Sequence, residues 1–196
     1  DPNFHDARLS TGVYQYVAGS LNWNVKWLAV LMGYRGSKER GKRELQTAAE
    51  KGVLAADDAL VILTLVYTRE RNYQGAFDCL NRLLRRYPQN YLVHLDMGGM
   101  ALLMRRPEAA LEIYQDILRR HEAGEGKYAE LEKASIYNRL GVATRVKGDL
   151  SQSAEWFGKA LEGSVARARI IARLELGKTL ELAGRREEAR AQYQEV

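Results

Sequence analysis

Apolar residues along this chain recur at intervals of three and four, and strand-like alternation is hard to find. From Asp57 to Asn90 (DDALVILTLVYTRERNYQGAFDCLNRLLRRYPQN) the period describes two amphipathic helices, joined by a tight turn at Arg71-Asn72 and closed by Pro88. The next 34 residues, Tyr91 to Gly124, repeat the pattern in register. Upstream, an N-terminal helix over residues 5–20 carries an apolar stripe of Leu9, Val13, Tyr16 and Val17, with Asp6 as its cap or first-turn acid. Asn22 or Asn24 caps a second helix that reaches Gly33. After a turn at Gly33 to Gly36, Ser37 opens a third helix, which Gly52 closes as a C-terminal glycine.

The repeat extends over five two-helix elements, numbered so that a small residue falls at position 8 of the first helix and position 20 of the second. Position 8 is Ala29, Thr64, Gly98, Gly141 and Gly177; position 20 is Gly41, Ala76, Ala110, Ser153 and Ala189. Both columns are spaced 35, 34, 43 and 36 residues. Small residues are needed there because the two helix axes approach closely where they cross. Position 24 holds large residues: Leu45, Leu80, Tyr114, Phe157 and Tyr193. The turns fall at Gly36-Ser37, Arg71-Asn72, Arg105-Arg106, Gly148-Asp149 and Gly184-Arg185. The expected organisation is a single domain, 1–196, with repeats at 22–56 (divergent), 57–90, 91–124, 134–167 and 170–196 (truncated). A 9-residue insertion around His121 to Gly126 separates the third repeat from the fourth.

These columns resemble the tetratricopeptide repeat, whose pattern has small residues at 8 and 20, large apolar ones at 7, 11 and 24, and proline at 32. Leu60, Leu63, Tyr67, Ala76, Leu80, Leu83 and Pro88 carry the likeness in the second repeat. Tyr137, Leu140, Gly141, Phe157 and Ala160 carry it in the fourth, and Leu176, Gly177, Ala189 and Tyr193 in the fifth. The first repeat departs, with Gly41 at position 20 and no proline at 32. The resemblance implies an all-α, right-handed α-α superhelix, a tetratricopeptide-like solenoid of about eleven helices. A further resemblance, through Gly12-Val13-Tyr14-Gln15-Tyr16 and Trp23 to Gly36, is to uncharacterised bacterial tetratricopeptide proteins with an aromatic-rich N-terminal block.

Composition agrees with a globular helical chain: 46% hydrophobic, 28% charged, 3 prolines and 3 phenylalanines. The net charge of +5 raises the question of nucleic acid. The arginines cluster at helix ends, however (Arg85-Arg86, Arg105-Arg106, Arg119-Arg120, Arg185-Arg186), where they complement the helix dipole, and no aromatic residues interleave with them. No nucleic-acid partner is expected. No stretch reaches the length of a transmembrane helix. Cys79 is the only cysteine, which excludes an intrachain disulfide and leaves the compartment, cytoplasm or periplasm, undetermined. The chain begins at Asp1 and stops within the second helix of the fifth repeat, so the expectation is missing residues, a partner, or self-association through an open C-terminal end.

Catalytic chemistry finds no footing. His5, His94 and His121 lack the spacing of metal motifs, and His94 falls at a packing position. Gly124-Glu125-Gly126-Lys127 and the Gly33 to Lys38 stretch echo phosphate loops without their spacing, and Glu187-Glu188 reads as a first-turn helix pair. The chain reads as a non-enzyme with no catalytic residue, no metal site and no cofactor.

In the family it resembles, first helices line a concave groove through positions 2, 5, 9, 12 and 13. That implies a binding groove built from Trp23, Lys26 and Tyr34; Val61, Leu65 and Arg69; Leu92, Leu95, Leu102 and Leu103; and Asn138, Val142 and Arg145. Its middle is apolar, with Arg69 and Arg145 placed to meet acidic flanks of an amphipathic helix or extended peptide. The Lys/Asn clamp that some members use for chaperone carboxylates is not matched, since Val30, Ile62, Leu92 and Asp96 stand in its places. Trp23 and Trp27 share a helix face that suits either core packing or a lipid surface. The function implied is a non-catalytic scaffold or adaptor that binds protein or peptide. The alternatives are a lipid or small apolar ligand carrier using the same groove, and an accessory domain of a longer protein.

Overall fold

The computed structural model describes residues 4–22, 25, 31 and 36–196. Among them are ten α-helices, one 3₁₀ turn and no strand. The helices are α1 (Ala7–Gly19), α2 (Lys38–Lys51), α3 (Ala56–Arg69), α4 (Tyr73–Arg86), α5 (Tyr91–Leu103), α6 (Pro107–Glu122), α7 (Lys133–Lys147), α8 (Leu150–Leu161), α9 (Ala166–Leu182) and α10 (Arg186–Gln194). The fold is the all-α helical-hairpin solenoid that the repeat requires. Of the helix expected between Asn22 and Gly33 only Val25 and Leu31 are described, both helical, and Trp23, Lys26, Trp27, Ala29 and Tyr34 lie outside the described residues. Helix contacts group the chain into two compact units, Asp1–Arg86 and Tyr87–Val196.

In the N-terminal unit α1 packs on α2, α2 on α3 and α3 on α4. The divergent Gly41 is explained by α1. A Cβ at Gly41 would stand 2.5 Å from the backbone N of Tyr16, and one at Gly12 2.8 Å from Leu45 Cγ, so the two backbones touch at glycines. Asp6 departs from its expected role, because its carboxylate caps nothing in α1. Its Oδ1 instead accepts the N–H groups of Val53 (2.9 Å), Leu54 (3.1 Å) and Ala55 (2.9 Å) and ties the start of α1 to the α2–α3 connection. Ser37 caps α2 through Arg40 N–H, as its position suggests. Gly52 closes α2 with φ −67°, without the left-handed turn expected of a C-terminal glycine. Cys79 is buried, and that burial pushes its thiol up to about 11, so it is an inert core group.

Four turns between the paired helices share one geometry. One or two residues past each first helix the chain turns left-handed: Arg71 (φ 59°), Arg105 (φ 57°), Gly148 (φ 102°) and Gly184 (φ 77°). The following N–H groups, of Asn72, Arg106, Asp149 and Arg185, reach back to the carbonyls of Tyr67, Ala101, Thr144 and Leu180, closing the helix end. Glycine adopts this φ freely, whereas a side chain is strained there by about 1 kcal/mol. Replacing exposed Arg71 or Arg105 by Gly is therefore expected to raise stability by about 0.5–1 kcal/mol each, read from urea unfolding. A loss of stability would mean that the arginine side chains supply more than the strain they carry.

In the C-terminal unit glycines at position 8 face aromatic rings at position 24. A Cβ at Gly141 would lie 2.7 Å from Phe157, and those at Gly98 and Gly177 would collide with the rings of Tyr114 and Tyr193. The insertion is ordered rather than a slack loop. After α6 ends at Glu122, a 3₁₀ turn at Gly126–Glu130 drives Tyr128 into the core at 0% exposure. The Tyr128 hydroxyl lies 3.0 Å from His94 Nδ1 and 3.3 Å from the Pro88 carbonyl. His121 Nδ1 donates to the Tyr128 carbonyl (3.0 Å), and the Arg120 guanidinium sits 5.1 Å over the ring. Two of the three histidines are thus structural. Burial of His94 lowers its pKa and favours the neutral ring.

Candidate functional site

The first helices of the third, fourth and fifth repeats are α5, α7 and α9, and each carries a stripe in the same register. On α5 it runs through Leu92, Gly99 and Leu103; on α7 through Ser135, Asn138/Arg139, Val142 and Val146; on α9 through Ile171, Leu174, Lys178 and Leu182. Large apolar members of these stripes are open to solvent: Leu92 (61%), Leu103, Val146, Ile171, Leu174 and Leu182. The stripes converge on a pocket of about 340 Å³ lined by Gly99, Leu102, Tyr114, Ser135, Asn138, Arg139, Val142 and Ile171.

The expected groove residues divide according to what packs against them. Leu92 and Leu103 stand on the exposed face, and Leu102 and Val142, half-buried, line the pocket. Leu95 is corrected. It is 4% exposed and belongs to the core around Tyr114, Tyr128 and Ile136, because its side of α5 faces inward between the neighbouring helices. Arg145 is corrected too, since it is not poised for an acidic partner. Its guanidinium donates to the Glu175 carbonyl (3.0 Å) and Thr179 Oγ1 (3.2 Å), pairs with the Glu175 carboxylate, and lies 5.8 Å over the Phe157 ring. Asn138 is 7% exposed, and its Nδ2 donates to the Ala168 carbonyl at 2.9 Å, binding α7 to the start of α9. On the N-terminal unit, Val61, Leu65 and Arg69 follow one another along α3 at intervals of four residues, all exposed. Trp23, Lys26 and Tyr34 lie outside the described residues.

Tyr114 and Arg139 were missed as site residues, whereas Gly99 falls at a groove position of the register. Ile171 sits at a groove position in sequence, while Tyr114 reaches the pocket from the second helix α6 and Arg139 stands one residue beyond the stripe. Burial raises the pKa of the Tyr114 hydroxyl, and the neighbouring Arg139 guanidinium opposes that rise. Asp96 lies within electrostatic reach of Arg139; burial raises its carboxyl pKa, and the guanidinium opposes that rise. Among the described residues no group of His, Cys, Asp and Glu is arranged to hold a metal ion, and no helix is long and apolar enough to cross a membrane.

Paired helices, small residues at the crossings and a register of exposed first-helix stripes define a helical-repeat protein of the kind that presents an extended surface. The tetratricopeptide repeat family model matches residues 58–90, the helical hairpin of α3 and α4. Solved structures show the same fold. MamA (41-end) from Desulfovibrio magneticus RS-1 aligns with TM-score 0.60 at 18% identity, covering 88% of this chain and 89% of that one. PilF of Pseudomonas aeruginosa aligns with TM-score 0.57 at 21% identity, covering 98% and 75%. MamA of AMB-1 aligns with TM-score 0.54 at 18% identity, covering 99% and 96%. No curated protein matches the sequence at a significant level.

Proposed function

We propose that the protein is a non-catalytic interaction scaffold that binds a protein segment on the face formed by α5, α7 and α9. One observation carries the reading: large aliphatic side chains of three successive first helices, Leu92 and Leu103, Val146, Ile171 and Leu182, stand exposed in register beside a pocket. Contiguous apolar surface of this kind is characteristic of binding sites, and rows of backbone-anchored helices hold it in a fixed shape. The tetratricopeptide architecture supports the same reading, since its relatives share a fold built to display first-helix side chains. Arg145 contributes by fixing α7 against α9, not by meeting a ligand.

The experiment is affinity capture with quantitative mass spectrometry, comparing the wild-type chain with Leu92→Glu/Leu103→Glu. Both side chains are exposed, so the double variant is expected to keep its helical circular dichroism and melting temperature. Two buried carboxylates at an interface core should weaken a specific partner by about tenfold or more. Val53→Glu/Leu54→Glu, at another exposed apolar spot, is the control and should change nothing. Retention of every partner by a folded Leu92→Glu/Leu103→Glu chain sinks the proposal.

A further inference from the structure

We infer that the pocket between α5 and α7 is a subsite for one residue of an extended peptide, which places an aliphatic side chain over Gly99 and donates its backbone N–H to Asn138 Oδ1. The inference rests on the binding face proposed above and names the form its occupant takes.

The acceptor comes first. A backbone carbonyl can only accept, so the Asn138 amide must turn Nδ2 toward Ala168, and Oδ1 is thereby fixed on the other side. That oxygen is closed from solvent and has no hydrogen-bond partner in the chain. Buried polar atoms nearly always have one, and Asn138 lines the pocket. The structure therefore supplies a fixed, buried acceptor to which no group of the chain donates.

Gly99 is the second observation. Its neighbour Gly98 is required by packing, because a Cβ there would collide with Tyr114. A Cβ at Gly99 would meet nothing within 4 Å, so neither packing nor a left-handed φ demands glycine in the middle of α5. What the missing side chain leaves is room. Gly99 lines the same pocket as Asn138, together with apolar Leu102, Val142 and Ile171. A pocket of about 340 Å³ is near the lower end for ligand sites, enough for one large side chain and its backbone.

These features choose among occupants. The N–H groups in the body of a helix are already bonded within it, so a helix laid along the face has none to offer Oδ1. An extended segment presents free N–H groups and sends successive side chains to opposite sides, so one residue can fill the pocket while its N–H turns to Asn138. Arg139 stands in the lining and disfavours a cationic side chain there. Because Oδ1 is sealed in the unoccupied chain, entry requires a side chain to swing aside. Ile171, 41% exposed, is the lining residue least held by its neighbours.

The test uses the ¹⁵N-labelled 196-residue chain and the probes acetyl-Ser-Thr-X-Thr-Ser-amide, with X leucine, N-methylleucine or lysine. The leucine probe is expected to shift the backbone amides of Gly99 and Leu102 and the side-chain NH₂ of Asn138 in a saturable way. N-methylation, which removes the donor, and lysine should each weaken it by about tenfold or more. Gly99→Leu puts bulk into the pocket from a Cβ that meets nothing within 4 Å, and it replaces a poor helix former. It should abolish the shifts without lowering the melting temperature. Absence of saturable shifts with the leucine probe, an N-methyl probe binding within about twofold, or unchanged binding to Gly99→Leu overturns the inference. If Leu92→Glu/Leu103→Glu still loses its partners in that event, the binding face stands and only the subsite falls.

Discussion

Gly141→Leu is expected to cost the C-terminal unit about 3 kcal/mol or more, and Gly141→Ala about 1–2 kcal/mol, in urea unfolding. The carbonyl of Gly141 accepts from Ser153 Oγ at 2.8 Å across the crossing of α7 and α8, so the backbones cannot separate without losing that bond. The Phe157 ring beneath is 0% exposed and would stand 2.7 Å from a new Cβ. Alanine gains about 1 kcal/mol of helix propensity over glycine, which offsets part of the overlap but not all. Phe157→Leu in the alanine background should recover most of the loss, because a smaller side chain vacates the contested volume. Gly177→Ala is the internal comparison. Tyr193 is only half-buried and its hydroxyl reaches Glu181 at 2.9 Å, so its ring can turn outward and the change should be near neutral. Equal losses at Gly141 and Gly177 would refute the view that a ring's freedom to yield decides the sign.

Arg145→Leu is expected to destabilise by about 2–4 kcal/mol at neutral pH, although it keeps most of the side chain's apolar bulk. It strips the Glu175 carbonyl, Thr179 Oγ1 and the Glu175 carboxylate of one shared donor in a site where both charged side chains are less than a fifth exposed. Burial alone would raise the Glu175 carboxyl pKa. Hydrogen bonds from Lys178 and Arg145, and their charges, outweigh it, so the pKa lies below the ordinary value of 4.5. The unfolded chain therefore binds this proton more readily. The stabilisation is complete above about pH 4.5 and is lost as pH falls through the lower folded value. The gap between wild type and Arg145→Leu should narrow accordingly in acid, as followed by urea melts from pH 7 to 3. A gap independent of pH would assign the loss to packing instead of the ion pair. Because Arg145 also lies over Phe157, its effect should not add simply to that of Gly141→Ala.

The hairpin period and the small residues at the crossings were legible in the sequence because both are set locally, by the helical repeat and by contact between adjacent helices. The groove was legible only in part. Leu92 and Leu95 lie three residues apart on one helix, yet one is open and the other buried, since the deciding partners, Tyr128 among them, come from far along the chain. Asp6 reads locally as a cap and acts 47 to 49 residues away. Arg145 reads as groove decoration because its partners Glu175 and Thr179 belong to another repeat. Asn138 fell on the groove by register, but the side on which its oxygen lies required the position of Ala168.

Tyr128 gives the insertion a mechanical meaning. A long connection between repeats would ordinarily let one hairpin fray while its neighbour stays folded. Here the connection is anchored through a fully buried ring to the start of α5, the end of α6 and the core that α7 shares, so none of these can open without extracting it. The third and fourth repeats are thereby fused into one cooperative block, and amide protons on both sides of the insertion should exchange together rather than repeat by repeat.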